Sequence, residues 1–73
     1  MVKPDELALQ AELVRRYIAD GSVYARQVVH ELGIPEKRAA YILGKWEDRD
    51  WWEYGCNVLA GWFTDEGRKH FMP

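Results

Sequence analysis

Three side chains in the sequence carry acid–base or nucleophilic chemistry near neutral pH: His30, His70 and Cys56. They are not arranged to use it. No cysteine or carboxylate stands at metal-ligand spacing beside His30, and a tetrahedral zinc site needs four convergent ligands. His70 falls near the end of a short C-terminal helix, where a cation suits the helix dipole. Cys56 sits in the turn Gly55-Cys56-Asn57 with no basic neighbour to stabilise a thiolate. No glycine-rich phosphate loop is present. No enzymatic activity, cofactor or metal is therefore expected. A single cysteine also excludes an internal disulfide, and it suits a reducing cytoplasm. No apolar run approaches the ~20 residues of a membrane span. Residues 1–20 lack the apolar segment of a signal peptide, so a cytoplasmic protein without a membrane partner is expected.

What remains is charge and aromatic surface, and both are unevenly distributed. The 73 residues carry a net charge of −2. Between Arg15 and Lys45 six basic residues face three acidic ones, a local +3. Between Trp46 and Glu66 only Arg49 opposes six acids (Glu47, Asp48, Asp50, Glu53, Asp65 and Glu66), a local −5. Four Trp, four Tyr and two Phe are many for this length. Large aromatics suit a small domain, which has little chain with which to fill a core.

The elements that must position these side chains follow from spacing. Pro4, Asp5 and Glu6 open a first helix, acids being favoured at its N-terminus. Leu7, Ala11, Val14 and Ile18 form its apolar face, widened by Leu9, Leu13 and Tyr17. Glu12 precedes Arg16 by four residues, a supporting pair. Gly21 ends the helix. Val23-Tyr24 is β-prone and is expected to add a short strand. Ala25 to Leu32 forms a second helix burying Val28, Val29 and Leu32. Gly33 gives a tight turn, Ile34 plugs it, and a third helix runs from about Pro35 to Asp48. Ala39, Ile42, Leu43 and Trp46 face inward. Lys37, Arg38, Tyr41, Gly44, Lys45 and Arg49 lie on the remaining surface. Asp50 turns the chain into the aromatic strand Trp51–Tyr54, Gly55-Cys56-Asn57 turns it back, and Val58–Phe63 is the partner strand. Thr64 caps a last helix, Asp65–Phe71, in which Gly67 is unfavourable by roughly 1 kcal/mol relative to Ala.

This order, carried by Val28-Val29-His30-Glu31-Leu32-Gly33-Ile34-Pro35, by Arg38-Ala39-Ala40-Tyr41-Ile42-Leu43-Gly44-Lys45-Trp46 and by Trp62-Phe63-Thr64-Asp65-Glu66-Gly67-Arg68, resembles the winged helix-turn-helix superfamily. The resemblance implies a single domain, 1–73, mainly α with a small antiparallel β-sheet. It would comprise a helix-turn-helix at 22–50, a wing at 51–63 and a C-terminal helix at 64–71. It further implies sequence-specific binding of double-stranded DNA, and hence transcription regulation of a bacterial, archaeal or phage kind. The third helix would enter the major groove. Lys37, Arg38, Tyr41 and Lys45 would face the duplex, with Arg38 and Lys45 on guanine edges or phosphates. Gly44 would allow close approach. Arg26 and Gln27 would grip phosphate from the second helix, and Arg49 completes the candidate set.

The acidic hairpin departs from that expectation, because phosphate contacts need cations. Its register places Trp52 and Phe63 inside and leaves Trp51 and Trp62 outside as a candidate protein interface. The alternative is that the first helix or Phe71-Met72 covers them. A winged-helix protein-interaction module is therefore the second functional reading, an anion-mimicking inhibitor a third, and a protein partner or homodimer a further expectation.

Overall fold

Pro4 opens α1 (Pro4–Asp20), and Gly21, at φ +76°, closes it by donating its N–H to the Tyr17 carbonyl. The computed structural model describes residues 2–73; the domain range given above begins at Met1, outside the described residues. Next come α2 (Ala25–Glu31) and α3 (Glu36–Asp48), joined by a tight turn. Gly33 in that turn has φ +71°, a conformation that favours a residue without a β-carbon. Ile34 is buried below it. Asp50, at φ +66°, turns the chain out of α3 into β1 (Trp52–Glu53). A 3-10 turn (Val58–Ala60), β2 (Trp62–Phe63) and α4 (Asp65–Phe71) follow. The chain is thus mainly helical with a small two-stranded antiparallel sheet, registered Trp52 to Phe63 and Glu53 to Trp62.

Trp46 is the centre of the core. Its ring lies 6.2 Å from Trp52, 6.5 Å from Phe63 and 4.8 Å from Phe71, centroid to centroid. Leu9, Leu13, Val28, Val29, Ala39, Ile42 and Leu43 surround the aromatics, all fully buried. The inward positions of α3 and the inward strand residues Trp52 and Phe63 are those the spacing predicts. Thr64 caps α4 by accepting from the Gly67 N–H at 2.9 Å. Gly67 itself is explained by packing: a β-carbon there would overlap the Trp51 carbonyl.

Four local expectations are corrected. The face of α1 that packs inward is Glu6, Leu9 and Leu13, with Tyr17 half-buried, whereas Leu7 and Ile18 are exposed. Both stripes are apolar, so periodicity alone does not choose the rotation. With the Leu9 stripe facing the core, Asp5 and Glu6 reach α3 and Arg16 reaches Glu31 on α2. Val23 and Tyr24 form no strand; the Tyr24 carbonyl accepts from the Val28 N–H and starts α2 instead. Leu32 lies beyond the end of α2 and is 40% exposed. The return strand is only Trp62–Phe63, because Asn57 captures the preceding residues. Its side chain accepts from the Leu59 N–H at 2.8 Å and its carbonyl from Ala60 at 2.9 Å. Leu59 then drops into the core, and the 3-10 turn packs on α2 and α3. The segment between the strands is folded back rather than projecting.

Candidate functional site

The candidate side chains meet on α3. Ala39, Ile42, Leu43 and Trp46 take its inner side, so Lys37, Tyr41 and Gly44 take its outer side at helical spacing. Arg38 and Lys45 flank that stripe on the edge facing α1. The Tyr41 ring is 62% exposed and lies between them, 5.5 Å from the Arg38 guanidinium and 5.9 Å from the Lys45 ammonium. A β-carbon added at Gly44 would meet nothing within 4 Å.

The cations on this surface are mostly engaged within the protein. Arg38 donates from Nε and Nη2 to the two carboxylate oxygens of Asp5, at 2.6 and 3.0 Å. Lys45 donates to Glu6 Oε1 at 2.7 Å, and the other Glu6 oxygen accepts from the Trp46 indole at 3.0 Å. Arg38 holds the Asp5 carboxyl below the usual carboxylate range. Burial pushes the Glu6 carboxyl up, but the bonds from Lys45 and Trp46 outweigh it and leave Glu6 lowered. Arg26 pairs with Glu36, the first residue of α3, at 2.9 Å. Gln27 donates to Glu31 at 3.1 Å. The Arg49 guanidinium lies 5.3 Å from the Trp51 ring, beyond the C-terminal end of α3. Lys37 is exposed and has no ion pair among the described residues.

Pairing cancels net charge without exhausting hydrogen-bond donors. A guanidinium has five N–H groups and an ammonium three. Arg38 uses two on Asp5 and Lys45 uses one on Glu6, leaving donors for an external acceptor. Such a surface can read the shape and donor pattern of a partner better than it can attract a polyanion from a distance. The sequence reading missed Asp5 and Glu6 as members of the site. They lie 33 and 39 residues before their partners, so no local spacing couples them.

Trp51 and Trp62 do not form one patch. Trp51 is half-buried, stacked on His70 at 3.7 Å with its edge against Phe71 at 5.4 Å. Trp62 is 48% exposed. It sits with the exposed Tyr24 beside a groove of about 520 Å³, also lined by Tyr17, Val23, Arg26 and Arg68. The acids Glu47, Asp48, Asp50 and Glu53 are exposed, and Cys56 is an exposed free thiol. No group of three or more His, Cys, Asp or Glu residues among those described could hold a metal ion. Among the described residues, no helix is long and apolar enough to cross a membrane. No protein-family model matches the chain, and no curated protein or solved structure matches it.

Proposed function

We propose that this chain is a winged helix-turn-helix protein that binds double-stranded DNA through α3 and serves as a sequence-specific regulator. The observation that carries this reading is Gly44. A glycine inside an exposed helix surface destabilises the helix by roughly 1 kcal/mol relative to Ala. At Gly44 no neighbour within the protein would obstruct a β-carbon. Its missing side chain suits close approach of an external surface; Tyr41 and Lys45 beside it, and Lys37 and Arg38 nearer the start of α3, are groups that donate to phosphates and base edges, while Glu47 and Asp48 border it on the other side. The folded-back 54–61 segment and the acidic turn at Asp48–Asp50 favour contact by α3, with Arg26 at its N-terminal end, over contact by a wing.

The test is binding of the purified chain to a pool of random duplexes, with enrichment of bound sequences. A recurrent motif, together with weaker binding by Lys37→Ala/Tyr41→Ala, is the expected result. No enrichment and no salt-sensitive retention on any duplex would overturn the reading.

A second reading, a protein-interaction module, is favoured by one observation: Trp62 and Tyr24 stay exposed on either side of an aromatic groove that α3 does not share. Amide shifts confined to that groove on adding a protein partner, with α3 silent on adding DNA, would select it.

A further inference from the structure

Trp62 and Glu53 stand directly opposite each other on β2 and β1, so their side chains share the outer face of the sheet, and both are exposed. That face borders a pocket of about 440 Å³ whose wall carries Asp50, Glu53, Asp65 and Glu66 against one cation, Arg68. Asp65 pairs with Arg68, and Glu66 with Lys69. Asp50 and Glu53 have no ion pair among the described residues.

Two other outlying rings are covered by the protein's own cations. Tyr41 lies between Arg38 and Lys45, and Trp51 has Arg49 at 5.3 Å and His70 stacked on it. Trp62 has no such cover among the described residues. Arg68, the cation of its pocket, is turned instead to the Phe63 carbonyl, at 3.2 Å, and to Asp65. An indole beside two unpaired carboxylates takes a cation from outside: the ring attracts it and the carboxylates supply the opposite charge. On its other side Trp62 borders the groove of about 520 Å³, where Tyr17, Val23, Tyr24 and Leu59 give an apolar lining and Arg26 is neutralised by Glu36.

We infer that this face holds a basic segment of a protein partner, with an arginine or lysine over the Trp62 indole beside Glu53 and Asp50 and an adjoining apolar side chain in the groove. The inference rests on the protein-interaction reading of the groove and adds the chemistry of the partner. No residue of α3 lines either hollow, so such a segment leaves α3 free for a duplex. The acids that suit a basic segment repel phosphate, which keeps DNA off this face. The contact is small and exposed, so binding is transient and weakened by salt.

Selection of random short peptides on the full chain should enrich sequences with arginine or lysine beside a large apolar residue. A selected peptide titrated into the isotope-labelled chain should shift the Trp62 indole N–H and the amides of Glu53 and Tyr24, with Lys37, Tyr41 and Gly44 silent. Trp62→Ala should weaken binding about tenfold or more, as a buried anchor does. Asp50→Asn/Glu53→Gln should weaken it roughly three- to tenfold and flatten its salt dependence. Asp50 and Glu53 are exposed and have no ion pair, so the thermal midpoint of that variant should hold, which separates lost binding from lost folding. Neutral or acidic peptides that shift Tyr24 and Trp62 would overturn the basic segment and leave the groove as a protein site. No enrichment would overturn both. Binding indifferent to Asp50→Asn/Glu53→Gln, or shifts centred on α3, would overturn the inference, as would self-association through Trp62 in the absence of peptide.

Discussion

The indole N–H of Trp46 donates to Glu6 Oε2 at 3.0 Å, so the residue at the centre of the aromatic core is tied to a carboxylate that is itself only 5% exposed. That bond joins three roles in one side chain. Glu6 satisfies a buried donor, pairs with Lys45 and ties α1 to α3.

Replacing Glu6 with Ala should therefore destabilise the fold by about 1–3 kcal/mol, the range for a buried polar partner left unsatisfied. Glu6→Gln keeps an acceptor for the indole and should lose less. Urea denaturation followed by Trp fluorescence measures both, and equal losses would show that the indole bond contributes nothing.

Acid should unfold the protein through the same groups. Asp5, Glu6 and Glu31 are all lowered, and Glu12 is lowered to about 2 by hydrogen bonds from Arg15 and Arg16. A carboxyl lowered in the folded state stabilises it above the unfolded pKa and loses that contribution as pH falls. Thermal midpoints should be flat from neutrality down to about pH 5 and decline toward about pH 2, the window set by Glu12 and its ordinary value of 4.5. Salt should blunt the decline, since Arg15 and the Glu31 side chain are well exposed.

The Asp5 pair gives a test of DNA binding in which affinity rises. Asp5→Asn removes the charge that neutralises Arg38. Duplex affinity should increase, and the slope of log affinity against log salt should steepen by up to about 0.9, the increment for one more cation on phosphate. Fluorescence anisotropy across a salt series reads both, and an unchanged slope would show that Arg38 stays away from phosphate.

Two helical glycines should respond oppositely to alanine. Gly44→Ala should stabilise the fold by about 0.5–1 kcal/mol, because the space is open and α3 gains helix propensity. The same change should weaken duplex binding. Gly67→Ala should destabilise by about 1–3 kcal/mol despite the same gain in propensity, because the new methyl overlaps the Trp51 carbonyl. Thermal melts and anisotropy on the two variants check the contrast; a Gly44→Ala protein that binds as before would remove the main support for an external surface on α3.

The sequence made the periodic elements legible and left the choices between equal alternatives open. Gly21, Gly33 and Thr64 mark boundaries by local chemistry, and α3 carries a single apolar stripe, so its burial follows directly. The first helix has two apolar stripes, and only contacts with α2 and α3 choose between them. The Val58–Ala60 segment is apolar enough for a strand, but the Asn57 cap turns it into a 3-10 helix. The outer face of α3 was readable as a row of long polar side chains. That two of its cations are neutralised from α1 was not, because the pairing depends on how the helices cross.

The Asp5–Arg38 and Glu6–Lys45 pairs divide α3 into two kinds of sequence position. Along the edge facing α1, a change at Arg38 or Lys45 strands an acid and needs a matching change 33 or 39 residues away. Along the outer edge, Lys37 has no ion pair among the described residues, Gly44 has open space around it, and Tyr41 touches only the Arg38 and Lys45 side chains beside it. A lineage altering its partner preference by single substitutions would drift along that outer edge, while the paired edge is inherited as a block.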